Sequence, residues 1–345
     1  MQRNELSGDR TMSIRPRLSG SLLCGLLAAC FVLLTSTAAV AAPGEGAALG
    51  DGVVIDTGRS IAYVMHPKGG IQALDLATGA SLWRSKAAER PLALAGNLLV
   101  AQARPGERGE LRVVALDVRK RGAASAEADL PLPSGVRAEV AETVDRAFHV
   151  SASPSPQGFL VAWDSQAMPA LPERSSARLG RGAGGASKAI AGGEPGNLQG
   201  TALFDPRAGR LLPMKAADAQ IVPLRPAVAS LSSPAAAERL FASADGRHVL
   251  ASRRVGNDTS PAPYRWTISD AASGAVLGTV RSAVSMRPFV VAGTRLIYVA
   301  YPAAQHGESS WIDEPFRLRA VDLATGREAW SRQIRDVAFR GPFPF

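Results

Sequence analysis

Residues 73–83 read ALDLATGASLW, and residues 320–330 read AVDLATGREAW. Seven of the eleven positions agree, including the unbroken run Asp-Leu-Ala-Thr-Gly. Aligned on the aspartate, weaker copies lie between them: VVALD ending at Asp117, LVAWD at Asp164, TALFD at Asp205 and WTISD at Asp270. From Asp75 to Asp322 the spacings are 42, 47, 41, 65 and 52 residues. Self-similarity at such a period marks a modular fold.

Each part of the phrase has a local job. The residues before Asp are apolar or alternate (IQALD, RVVALD, FLVAWD, RLRAVD), as half-buried strands do. Asp ends the strand, and its carboxylate can accept hydrogen bonds from turn N–H groups and from the Thr hydroxyl. Glycine supplies the positive φ that closes a short hairpin. The pairs Thr78-Gly79, Ala208-Gly209, Ser273-Gly274 and Thr325-Gly326 provide it, whereas Asp117 and Asp164 lack such a pair at the same offset. The next strand begins at once (SLWRS, AVLGTV, EAWSR), and Trp83 and Trp330 are placed to pack against a neighbouring repeat.

Two more strand-like runs precede several of these hairpins. They are 53–56 with 61–65, 92–96 with 98–103, 239–243 with 248–252, and 288–293 with 296–301. Four strands per unit, with almost no helical patterning, predict an all-β fold: a β-propeller of four-stranded blades. Six repeats are recognisable, and the length suits six to eight blades. In a ring the first and last blades are neighbours, so the two sharp phrases should meet. The tail after Trp330, through 336–345, is expected to pair with the N-terminal strands and close the ring.

The pattern A-x-D-x-x-T-G-x-x-x-W resembles the tryptophan-docking repeat of the pyrroloquinoline-quinone-like (quinoprotein-type) propellers. Ala73, Asp75, Thr78, Gly79 and Trp83 match it, as do Ala320, Asp322, Thr325, Gly326 and Trp330. SADGRHVLAS (243–252) is similar instead to the Asp-Gly turn of TolB-like and YVTN-type exported propellers. For the quinoprotein dehydrogenases the resemblance implies a quinone beside calcium, a catalytic aspartate and an adjacent-cysteine disulfide. The Cys-Cys pair is absent here, and no ligand or catalytic aspartate maps residue by residue. The resemblance therefore points to the non-dehydrogenase branch, and pyrroloquinoline quinone with calcium is not expected.

The amino end carries a different message. Arg3, Arg10, Arg15 and Arg17 precede the apolar run SLLCGLLAACFVLL (21–34), and small residues follow through Pro43. That order is a secretory signal peptide, with cleavage expected after Ala41. The apolar run is shorter than the roughly 20 residues of a membrane span. Leu27-Ala28-Ala29-Cys30 also has the shape of a lipobox, so lipid anchoring through Cys30 is the alternative. Both cysteines, Cys24 and Cys30, lie in this segment, which leaves no disulfide framework, thiolate metal site or cysteine nucleophile after cleavage.

The net charge is +9. Such a balance suits acidic or anionic partners, but no basic run is interleaved with aromatics and nucleic-acid binding is not expected. Gly180-x-Gly182-x-x-Gly185 matches a dinucleotide fingerprint only formally, lacking the strand-to-helix context. His66, His149, His248 and His306 are never paired at metal-ligand spacing, Asp313-Glu314 point apart on an extended chain, and Asn257-Asp258-Thr259 is a glycosylation sequon. No catalytic, cofactor-binding or metal residue is assigned.

The expected organisation is a signal peptide over 1–41, a linker over 42–50, and one propeller over 51–345, with 180–197 as a glycine- and alanine-rich loop between blades. The expected role is an exported, periplasmic, monomeric binding or scaffold module for a protein or envelope component. The alternatives are a degenerate quinoprotein-type enzyme and a lipid-anchored scaffold of the BamB type.

Overall fold

The strand-turn-strand phrases fold as antiparallel meanders. The computed structural model of the chain describes residues 46–50, 52–134, 136–138, 146–167, 198–214, 231–232, 238–256, 260, 262–300 and 316–334. Among them the regular structure is β-strand, apart from one 3₁₀ turn at Val118–Lys120. The signal segment with Cys24 and Cys30, the 180–197 loop, His306, Asp313-Glu314, the sequon and the 336–345 tail lie outside the described residues.

The first sheet runs β1 (Ala47–Gly50), β2 (Val53–Asp56), β3 (Ile61–Met65), β4 (Ile71–Asp75), β5 (Ser81–Ser85). The second runs β6 (Arg90–Ala95), β7 (Leu98–Gln102), β8 (Leu111–Asp117), β9 (Ala123–Leu130). The third runs β10 (Arg146–Ser155), β11 (Gly158–Ala167), β12 (Leu198–Asp205), β13 (Arg210–Met214). The fourth runs β14 (Leu231–Ser232), β15 (Glu238–Ala242), β16 (His248–Arg254), β17 (Tyr264–Asp270), β18 (Val276–Ser282). The fifth runs β19 (Phe289–Ala292), β20 (Arg295–Ala300), β21 (Arg317–Asp322), β22 (Glu328–Gln333). These are five propeller blades among the described residues, all with four consecutive antiparallel strands at their heart.

In blades 1, 2 and 5 burial falls from the first of those four strands to the last. β2 is buried at every position and β6 at all but its last, while β5 and β13 have no buried residue. The first strands therefore line the ring centre and the last form its rim. The cores lie between sheets, not within them. One apolar cluster joins blades 1 and 5, one joins 1 and 2, one joins 2 and 3, and one joins 4 and 5. The blades are thus packed in the order 3, 2, 1, 5, 4. Blade 1, apolar on both faces, is covered on both sides this way, with Val53 and Ile55 against blade 5 and Val54 against blade 2.

The first and last blades meet through the doubled phrase. Trp330 is buried, donates its indole N–H to the Leu76 carbonyl at 3.0 Å, and lies over Gly79. A Cβ at position 79 would sit 2.7 Å from the indole, and φ there is +68°. Arg332 Nε donates to the Gly79 carbonyl at 2.7 Å. Blade 1 repeats the contact on blade 2: Trp83 covers Gly122, and Ser85 Oγ donates to the Gly122 carbonyl at 2.7 Å. Blade 4 has glycine in the tryptophan place. Gly278 lies so near the Leu323 backbone that a Cβ would stand 2.0 Å from its carbonyl oxygen.

Three sequence expectations need correction. Asp164 does not end a repeat hairpin. It lies within β11, register-paired with His149 and Gln199, so the Asp164 and Asp205 units belong to one blade. The 168–197 connection accordingly joins two paired strands inside blade 3 and does not separate blades. Ala47–Gly50, assigned to a linker, forms β1, because Ala47 and Leu49 are buried in the core shared with blade 5.

Candidate functional site

The turn aspartates, the most repeated polar residues, are bound to their own turns. Asp75 Oδ1 accepts from Thr78 N at 2.8 Å and Thr78 Oγ1 at 2.7 Å. Asp270 does the same with Ser273, and Asp322 with Thr325. Asp205 accepts from Arg207 N and Ala208 N, and Asp117 from Arg119 N and Lys120 N. Hydrogen bonds to the ionised form lower a carboxylate's pKa. The Thr78 hydroxyl holds Asp75 below its ordinary value, the Ser273 hydroxyl holds Asp270, and the Thr325 N–H holds Asp322. At Asp117 the closing glycine comes one residue later, at Gly122, because Val118–Lys120 makes a 3₁₀ turn and Arg121 takes a left-handed φ of 55°. That shift hid the blade 2 glycine from an alignment at fixed offset.

Naming the four common strands A to D from centre to rim, the connections divide into two classes. A–B and C–D turns are two to five residues long in every blade. Within blades they touch: Leu76 N bonds Ser60 O, Val118 N bonds Asn97 O, Ala271 N bonds Arg247 O and Leu323 N bonds Thr294 O. Between blades, Arg59 bonds Asp56 Oδ2, the Gly96 carbonyl and Asn97 Oδ1, stapling blade 1 to blade 2. All ten turns therefore share one face, the tight-turn face. The B–C connections, at 5, 8, 30, 9 and 16 residues, leave the opposite, long-connection face.

On the long-connection face, blades 1 and 2 frame an open cleft of about 430 Å³. Its walls come from the β3–β4 turn at Lys68–Gly70, the β5–β6 link at Lys86–Glu89, Ala103-Arg104, Arg112 and Glu127. Arg84 pins the turn by donating to the Lys68 and Gly69 carbonyls at 2.7 and 2.6 Å. Arg104 is paired with Glu89, and Arg112 with both oxygens of Asp129 at 2.8 and 3.0 Å. The cleft is polar, and its charged walls are held by these contacts within blade 1 and within blade 2.

The described histidines are not brought together. His66 follows β3 in blade 1, His149 lies within β10 in blade 3, and His248 starts β16 in blade 4. His248 stands near a buried turn, where Ser243 Oγ donates to Asp245 Oδ1 at 2.6 Å. Burial would raise the Asp245 pKa, but its partners His248, Ser243 and Arg247 N outweigh burial and lower it. Among the described residues no three His, Cys, Asp or Glu side chains converge to hold a metal ion. The turn aspartates, for their part, are committed to backbone N–H groups of their own turns.

No protein-family model matches the chain, and no curated protein matches it. Among solved structures it is similar to the Dos1 propeller, at 12% identity over 80% of this chain and 55% of that one, with a TM-score of 0.26. It is similar to a europium-containing methanol dehydrogenase at 14% identity, covering 83% and 69% of the two chains, with a TM-score of 0.22. It is also similar to the β-propeller domain of Cps50 (Swd1) from Myceliophteria thermophila at 14% identity, covering 81% and 65%, with a TM-score of 0.23. The chain spans about half the length of the first of these. Matches this distant carry no information on activity.

Proposed function

We propose that this propeller is an exported, non-enzymatic binding platform of the cell envelope, and a divergent relative of the quinoprotein-type repeat proteins that works without pyrroloquinoline quinone or calcium. The observation that carries the proposal is the unequal division of connections. One face is built from ten turns of two to five residues, and the other from B–C connections of up to 30 residues. Repeated, hydrogen-bonded turns serve the scaffold, while recognition concentrates on connections free to differ from blade to blade. The partner is a protein or envelope component that meets the long-connection face, where the cleft between blades 1 and 2 offers exposed Lys68 and Lys86.

The amino end fits export. Cleavage after Ala41 leaves every described strand in place, since the first of them, β1, begins at Ala47. Acylation at Cys30 would instead retain residues 31–46 ahead of β1.

Site-specific photocrosslinking in living cells tests the platform. A photoreactive residue at position 68, 86 or 108 should give a discrete protein adduct, and one at position 273, on the tight-turn face, should not. Adducts from neither face, or equally from both, would remove the proposal.

A further inference from the structure

The first feature to consider is the charge at the rim of the tight-turn face. Arg119, Lys120 and Arg121 of blade 2, Arg207 of blade 3, Arg247 of blade 4 and Arg327 of blade 5 are all exposed there. Of these six, only Lys120 comes within ion-pair distance of a described carboxylate, Asp117 at 3.9 Å. The turn aspartates on this face are half-buried, with an oxygen turned onto backbone N–H groups. Short acidic side chains are set back and long basic ones reach outward. A flat surface approaching the ring meets the cations first.

The path of the chain is the second, independent feature. β1 starts beside the end of β2, with Ala47 opposite Ile55, and Gly46 N donates to the Leu94 carbonyl at 3.0 Å. Both partners lie next to A–B turns, so the chain enters the ring from the tight-turn face. Residues 42–45 can span at most about 14 Å. A terminus freed by cleavage before Ala42 would have its ammonium group within that reach of Gly46, on this side of the ring.

We propose that the tight-turn face lies against a bilayer rich in anionic headgroups, leaving the long-connection face directed away from it. Clustered Lys and Arg side chains bind such surfaces with about 1 kcal/mol each, or about fivefold in partition per cation, and salt screens the attraction. The exposed cations and the entry of β1 from this face belong to the folded ring and hold whether or not the chain is cleaved.

Vesicle sedimentation of the purified protein, in whichever processed form the cell yields, tests it. Binding is expected to vesicles with about one-third phosphatidylglycerol, falling with salt, and not to pure phosphatidylcholine. The variant Arg119→Ser, Lys120→Ser, Arg121→Asn should lower the partition coefficient about 100-fold. The charge-matched variant Lys68→Ser, Lys86→Ser, Arg108→Ser on the opposite face should change it less than about threefold. The pair Arg207→Ser, Arg327→Ser, away from the 3₁₀ turn, should lower it by about 25-fold and guards against misfolding of the first variant. Equal losses from both faces, equal binding to neutral vesicles, or no vesicle binding would overturn the proposal. So would binding to soluble polyglutamate without vesicles, which would assign the face to an acidic protein.

Discussion

Replacing Trp330 with alanine probes the contact between the first and last blades. The side chain is 7% exposed, belongs to the core shared by blades 1 and 5, and satisfies the Leu76 carbonyl through its indole N–H. A buried indole removes roughly 200 Å² from water, worth about 5 kcal/mol at about 25 cal/mol per Å². Alanine keeps a small share of that area, and buried Trp→Ala changes cost about 3–5 kcal/mol. Trp330→Phe retains most of the apolar contact and isolates the hydrogen bond, at about 1 kcal/mol. Urea unfolding followed by fluorescence and by far-ultraviolet dichroism gives the cost from the shift in midpoint, provided the slope and the coincidence of the two probes are unchanged. Trp83 is half-buried against Gly122 and Tyr63, 5.7 Å between ring centroids, so Trp83→Ala should cost about half as much. Two silent alanine variants, or a larger loss at Trp83 than at Trp330, would refute the docking role of the phrase.

Other consequences can be checked separately. Gly79→Ala meets both a positive φ and the Trp330 ring, whereas Gly274→Ala meets only the φ, so the first should lower the unfolding midpoint clearly more than the second. Asp75, Asp270 and Asp322 have folded pKa values below their unfolded ones, so the stability they add is complete above the ordinary carboxylate range and fades as pH falls through the lowered values. Carboxyl-resolved NMR titration should show Asp75 moving back up in Thr78→Ala; an unchanged titration would remove the hydroxyl as the cause. Adding pyrroloquinoline quinone with calcium should leave the quinone absorbance unchanged and produce no dye reduction with primary alcohols; a saturable change in either would restore the enzyme alternative.

Much of the ring was legible because its parts are local. Asp, Thr and Gly within five residues carry a complete turn, and the apolar run before them carries a strand. Adjacency of the first and last blades followed from circular closure and is seen in the Trp330–Leu76 bond. Asp164 misled because an apolar strand ending in Asp reads alike whether the chain turns there or runs on, and the missing Gly was the usable warning. β1 was missed because four small and apolar residues carry no period until a neighbouring blade buries Ala47 and Leu49. Ser85 and Arg332, each ten residues after its turn aspartate, cap the next blade's glycine carbonyl. Their chemistry differs, so an alignment by residue type passes over them. The two faces could not be read at all without strand order, since both kinds of connection are rich in Gly, Ala and Arg.

Export is the claim on which the envelope role stands, and the intact mass of the protein recovered by cell fractionation tests it most directly. The expected result is an exported chain beginning at Ala42, with every strand from β1 onward retained. A chain beginning at Met1 or Met12 and confined to the cytoplasm would contradict it.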